Sequence, residues 1–164
     1  MATLYTFVPN AAEYLSASFA QLTTLNASQR RPVLAYDAGS AEYAQWTAIA
    51  PSGITAPFKV FAHGVMATAT SGSLMLQFFI EAITPGDASD IGSASYWDTA
   101  NSTCAIGVPA SAGYPFTASM QFTNTGSLVV GDYFRLRLGR NATSASDDAT
   151  GDYYNTALEF RDSQ

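Results

Sequence analysis

Lysine, histidine and cysteine each occur once in this chain, as Lys59, His63 and Cys104. Nucleophile–base pairs, metal centres and Schiff bases draw mostly on those three side chains. His63 falls on the Lys59/Phe61/Val65 side of an alternating run, so it reads as a satisfied or half-exposed strand residue. A metal there would need carboxylates or Cys104 as co-ligands. Ser102-Thr103-Cys104 carries no local nucleophile pattern, and Cys104 reads as a small buried apolar residue.

Carboxylates are the remaining candidates. Asp147, Asp148 and Asp152 share one loop, but calcium takes six or more oxygens and the spacing is not that of an EF-hand. The plainer reading is a solvated loop before an edge strand. Asp87 with Asp90, or Asp37 with Glu42, could be a catalytic pair, yet glycosidase chemistry needs two carboxylates converging across a cleft. Asp37-Ala38-Gly39-Ser40 is a turn sequence for ordinary backbone reasons. The expectation is no catalytic, cofactor or metal site. Tyr5, Tyr36, Tyr43, Tyr96, Trp97, Tyr114, Tyr133, Tyr153 and Tyr154 offer platforms for sugar rings or for protein partners, and protein contact is the favoured reading because interfaces enrich Tyr, Trp and Arg. In the adjacent pairs Tyr96-Trp97 and Tyr153-Tyr154, one member points outward if the chain is extended.

These residues sit on short alternating runs cut by Gly, Pro, Ser and Asp. Residues Thr3–Val8 alternate before Pro9 and read as an N-terminal arm. Asn10 to Leu22 fits a short helix, with Asn10 as N-cap and Glu13 three residues on. From Arg31 the period is two. Strands are expected at Val33–Asp37, Glu42–Ala50, Phe58–Thr70, Leu74–Ile83, Tyr96–Val108, Phe116–Thr123, Tyr133–Leu138 and Asn155–Arg161. Ala44, Trp46 and Ala48 share a face. So do Leu74, Leu76, Phe78 and Ile80, with Leu74–Ile83 as hairpin partner of Phe58–Thr70. Phe134, Leu136 and Leu138 point inward, and Tyr133, Arg135 and Arg137 outward. About eight strands with almost no helix, and no βαβ unit, predict an all-β fold: an antiparallel β-sandwich, jelly-roll-like. Residues 1–30 form the arm and helix; residues 31–164 form the sandwich domain.

A chain of 164 residues can bury a core without staples, and one cysteine makes no internal disulfide. Charged residues are only 12%, against roughly 25% in typical domains, while 48% are apolar and 13% aromatic. That balance suits a surface covered by other protein, or equally an acidic soluble protein with a polar, uncharged surface. The net charge of −6 argues against nucleic acid and anionic membrane as partners. No run reaches the roughly 18 apolar residues of a membrane span. The first residues lack the pattern of a signal peptide, so synthesis in a cytoplasm is expected. The acceptors at Asn26, Asn101 and Asn141 read as chance in a Ser/Thr-rich chain.

Several blocks stand together: Tyr5-Thr6-Phe7-Val8-Pro9; Arg31-Pro32-Val33-Leu34-Ala35-Tyr36-Asp37; Glu42-Tyr43-Ala44-Gln45-Trp46 with Pro51; Ala67-Thr68-Ala69-Thr70-Ser71-Gly72; Leu128-Val129-Val130-Gly131-Asp132; and Phe134-Arg135-Leu136-Arg137-Leu138-Gly139-Arg140, then Asp147-Asp148. Across most of its length the chain thereby resembles small virion proteins of tailed bacteriophages, departing from them at Pro85–Tyr114. The resemblance implies a β-sandwich on the virion, and for this size a capsid decoration (cement) protein. Such a protein is no enzyme. It binds the major capsid protein of the assembled shell and self-associates as a homotrimer or homodimer. It is made in the bacterial cytoplasm and resides on the capsid surface. Leu4, Tyr5 and Phe7 of the apolar arm, with Arg30 and Arg31, are the candidate contacts. The rival readings are a carbohydrate-binding module of a tail or fibre and, third, a small hydrolase.

Overall fold

The computed structural model describes residues 2–102 and 105–162. Among them the chain forms twelve strands: β1 (Thr3–Phe7), β2 (Gln21–Leu25), β3 (Arg31–Tyr36), β4 (Glu42–Ile49), β5 (Phe58–Met66), β6 (Ser73–Leu74), β7 (Leu76–Ile83), β8 (Asn101–Ser102), β9 (Ile106–Gly107), β10 (Phe116–Gln121), β11 (Tyr133–Arg140) and β12 (Tyr153–Asp162). One sheet runs β10-β5-β12-β3-β2, with β1 also on β12; the other runs β4-β11-β7-β8. β6 and β9 form a two-stranded ribbon. The strand pairs are antiparallel. The fold is an all-β, jelly-roll-like sandwich.

Its core is what the alternation predicts. Phe58, Val60 and Ala62 of β5 and Leu158 and Phe160 of β12 face Leu76, Phe78 and Ile80 of β7 and Phe134, Leu136 and Leu138 of β11, all fully buried. Ala44 and Trp46 of β4 are buried beside them. The small Ala flanking Trp46 leave room for its ring against Phe7, at 6.0 Å between centroids.

Four expectations are corrected. β5 and β7 are not a hairpin: long strands from β4 onward alternate between the two sheets, so the chain crosses the sandwich rather than turning back beside itself. Asn10 to Leu22 is not a helix. A three-residue 3₁₀ turn, Pro9–Ala11, capped by Val8 without a side-chain bond, gives way to extended chain and then β2. The extended chain lies along the outer edge of β4, where Glu13 bridges to Gln45 and Phe19 to Tyr43. Edge pairing there outbids local helix propensity. Tyr96–Val108 is broken into an isolated bridge at Trp97, β8 and β9; Cys104 and Thr103 lie outside the described residues. And β12 is no edge strand, since it pairs with β5, β3 and β1.

The arm is part of the sandwich. β1 hydrogen-bonds to β12, and Phe7 is 7% exposed in the core. Tyr5 is half-buried; its ring stacks on Phe7 at 5.5 Å and its hydroxyl donates to the Ile49 carbonyl at 2.6 Å. Leu4 is half-buried against the core. Only Arg30 and Arg31 of the five candidate contacts are exposed, at the β2–β3 turn.

Candidate binding face

The outer face of the four-stranded sheet carries a hydrogen-bonded cluster of polar and aromatic side chains. Strand register builds it in rungs. Tyr43, Gly139 and Gln77 lie abreast, then Gln45, Arg137 and Phe79, then Thr47, Arg135 and Glu81. Because strand side chains alternate, these nine positions share one face. Flanking bridges extend it: Glu13 beyond Gln45, Phe19 beyond Tyr43 and Trp97 beyond Glu81.

Hydrogen bonds hold the polar members in place. The Arg137 guanidinium donates to Gln45 Oε1 at 2.9 and 3.3 Å, and Gln45 Nε2 donates to Glu13 Oε2 at 3.0 Å. Thr47 Oγ1 donates to the other Glu13 oxygen. Arg135 Nε donates to Glu81 Oε2, and the Tyr96 backbone N–H to Glu81 Oε1 at 2.6 Å. Burial of Glu81 works against its charge. The Arg135 and Tyr96 hydrogen bonds and the charges of Arg135 and Arg137 outweigh it, holding the carboxyl below its usual range. The bond to Glu81 raises Arg135 in turn. Arg137 is lowered, by burial and by the like charge of Arg135.

The aromatic members form a continuous platform over this network. Arg137 stands over the Trp97 ring at 4.1 Å and over Tyr43 at 5.8 Å; Arg135 is over Trp97 at 4.9 Å. Tyr43 meets Phe79, two strands away, edge-on at 6.1 Å. That contact crosses β11, and Gly139 permits it: a Cβ there would lie 2.5 Å from the Tyr43 ring. Tyr14 and Phe19 extend the aromatic row past the β4 edge, 6.4 Å apart.

The other candidate residues are spent on the fold. Asp147 is no solvated loop residue. Its carboxylate takes two bonds from fully buried Arg140, at 2.7 and 3.1 Å, and one from the Met75 N–H at 3.0 Å. Asp148 accepts from the Ser73 N–H. Asp37 caps its own turn through Gly39 and Ser40, and its N–H donates to Glu42 at 2.8 Å. Asp87 is exposed, and Asp90 accepts from Gly92. His63 lies between Thr117 Oγ1 at 2.9 Å and Glu159 Oε2 at 3.2 Å, on an open sheet face. Among the described residues no group of three or more His, Cys, Asp and Glu could hold a metal. Of the aromatic pairs, Trp97 joins the platform and Tyr96 is exposed beside it; Tyr153 is buried against Tyr36 and Tyr154 half-exposed.

Gln45, Phe79, Glu13 and Gly139 were not legible as site residues. Alternation marks Gln45, Phe79 and Gly139 only as outward-facing, and Glu13 falls in the segment expected to be helix. Their convergence depends on β4, β11 and β7 lying side by side, which no local pattern states.

Fold and face together define an antiparallel β-sandwich with a preformed polar–aromatic surface on one sheet. No family model matches the chain, and no curated protein does. Among solved structures it is similar to the CBM22-1 xylan-binding domain of Paenibacillus barcinonensis Xyn10C, with a TM-score of 0.50 and 14% sequence identity. The match covers 98% of this chain and 94% of that one. At that identity the likeness is one of fold, a β-sandwich.

Proposed function

We propose that this protein is a non-catalytic binding module that takes carbohydrate across the outer face of its four-stranded sheet. The observation that carries this is the Trp97–Arg137–Tyr43–Phe79 platform. Flat rings and a guanidinium plane offer apolar surface to the C–H faces of pyranose rings. Thr47, Glu13 and Gln77 stand beside them to meet hydroxyls, held from beneath by buried Gln45. The hydrogen bonds among these side chains hold them in place before a ligand arrives, so little side-chain entropy is lost on binding. The similar solved structure is a xylan-binding domain, which agrees with this ligand class.

Affinity electrophoresis through gels containing soluble xylan, β-glucan or host surface polysaccharide tests the reading. The wild type should be retarded by at least one of them. Trp97→Ala and Arg137→Ala should each migrate as in a gel without polysaccharide. Migration unaffected by every glycan would remove the proposal.

A second reading keeps the capsid decoration role, with the major capsid protein as partner. Ile49, Val129 and Val130 are 54%, 52% and 56% exposed at one end of the sandwich. They are held close together because Gly131 N–H donates to the Ala50 carbonyl at 2.9 Å and Ala50 N–H to that of Asp132. Three neighbouring aliphatic side chains in water suit a protein contact. Quantified bands from purified particles separate the two: a shell protein is present in hundreds of copies, a fibre module in few. In the decoration case Val130→Asp should abolish particle binding while Trp97→Ala leaves it unchanged.

A further inference from the structure

The edge of the six-stranded sheet at β2 is open in a way the β4 edge is not. β4 is covered by the chain before β2, through Glu13 N–H to the Gln45 carbonyl and Ala20 N–H to that of Tyr43. β2 has no such cover. Among the described residues it pairs with β3 alone. Gln21, Leu22, Thr23 and Thr24 are exposed and Leu25 is half-buried. The strand contains no charge, no proline and no bulge, the devices that normally keep an edge from pairing. Leu22 is 39% exposed although its register partner, Leu34, lies in the core.

Charge is distributed unequally along this edge. At the Leu25 end, Arg31 is the register partner of Leu25 and Arg30 precedes it in the turn. Both are exposed, and neither has an ion pair among the described residues. At the Gln21 end, Gln21, Ala35, Asp37, Glu42 and Asp152 line one small cleft. Burial and the charges of Asp37 and Asp152, against the hydrogen bond from Asp37 N–H, raise the Glu42 carboxyl. No cation pairs with these three carboxylates among the described residues. Register puts Arg31 and Ala35 on the same side of β3, so the basic and acidic ends belong to one face, about 13 Å apart along the strand.

We infer that β2 is a self-pairing edge through which two copies join their six-stranded sheets, antiparallel about Thr23. A two-fold axis there sets Gln21 of one copy opposite Leu25 of the other. Each Arg30–Arg31 end then lies across the seam from the partner's Asp37, Glu42 and Asp152, with about 14 Å between the two β3 backbones for the side chains to span, once at each end of the seam. The arrangement is isologous and closes. A parallel pairing would set Arg against Arg and carboxylate against carboxylate, so the charges select the antiparallel register. Pairing also satisfies the outward N–H and C=O groups of β2 and covers Leu22. The dimer stands independently of whether the sheet face binds carbohydrate.

Sedimentation velocity over a concentration series tests it. The wild type should form a dimer whose dissociation constant rises with salt, because the end-to-end charge pairs are exposed to screening. Arg31→Glu should weaken the dimer about tenfold or more, equivalent to about 1.4 kcal/mol or more. Adding Asp152→Arg to Arg31→Glu should restore association to within a few-fold of wild type. Thermal melts confirm that each variant is folded, and the salt series with Arg31→Glu alone suffices if the double variant is not. A wild type monomeric to about 1 mM, where an association worth roughly 4 kcal/mol is visible, would overturn the inference. So would a trimer, or a dimer indifferent to Arg31→Glu, as pairing through β10 would give.

Discussion

Replacing Asp147 by Asn should destabilise the fold far more than its position in an acidic loop suggests. Arg140 ends β11 with its side chain wholly inside the protein. Asp147 receives two of its hydrogen bonds, and the Gly151 and Ala149 carbonyls receive two more, at 2.7 and 2.8 Å. The same carboxylate holds Met75 N–H, so one side chain ties the 141–152 loop to β11 and to the start of β7. An amide keeps the shape but removes the charge that offsets the guanidinium. Breaking a buried pair from one side costs about 3–5 kcal/mol. At roughly 2–4 °C per kcal/mol for a chain of this size, the melting temperature should fall by about 10 °C. Asp148→Asn, which touches one exposed hydrogen bond to Ser73, should cost about 1 kcal/mol or less. Differential scanning calorimetry of both variants, with Arg140→Met and the Arg140→Met/Asp147→Asn double variant, closes a cycle in which the double loss is well below the sum. Equal, small effects of Asp147→Asn and Asp148→Asn would refute the buried pair and return the loop to solvent.

Phe134→Ala, a core truncation opposite β12, should cost about 3–5 kcal/mol in denaturant unfolding; a loss under about 1 kcal/mol would contradict the inward register of β11. Glu81 has its carboxyl held below the usual value, so its stabilising contribution is present above the unfolded value of about 4.3 and is lost as pH falls through the lowered folded one. In Arg135→Ala the burial of Glu81 is opposed only by the Tyr96 hydrogen bond and the charge of Arg137. The variant should be less stable than wild type at pH 7, and the gap should narrow on acidification, as read from melting temperatures between pH 3 and 7. Gly139→Ala drives a methyl into the Tyr43 ring and should cost about 1–3 kcal/mol as an overpacking change. It should also abolish glycan retardation while the protein stays folded at room temperature, and undiminished retardation would show that Tyr43 has no part in binding.

The inside-outside alternation of single strands was legible from residue order alone. Phe134, Leu136 and Leu138 are buried, as are Leu74, Leu76, Phe78 and Ile80, because a side-chain period of two fixes faces locally. About eight short strands, with almost no helix and no helix-linked strand pairs between them, were enough for an antiparallel β-sandwich. What residue order left open were the partners. Nothing local in Asn155–Arg161 says that this strand is central, nor in Leu74–Ile83 that its neighbour is β11 and not β5. Residues 10–22 balance helix and extended propensity, and the unpaired edge of β4 decides between them. Arg140 falls on the inward side of the β11 alternation, but only the closed fold brings Asp147 and two carbonyls around it. The binding face has the same origin. Its Tyr, Trp, Arg, Gln and Glu come from three strands, a loop and the extended chain before β2, and hydrogen bonds across long sequence separations bring them onto one surface. Short-range sterics and burial set the faces of each strand; only the closing of the sandwich sets who stands beside whom.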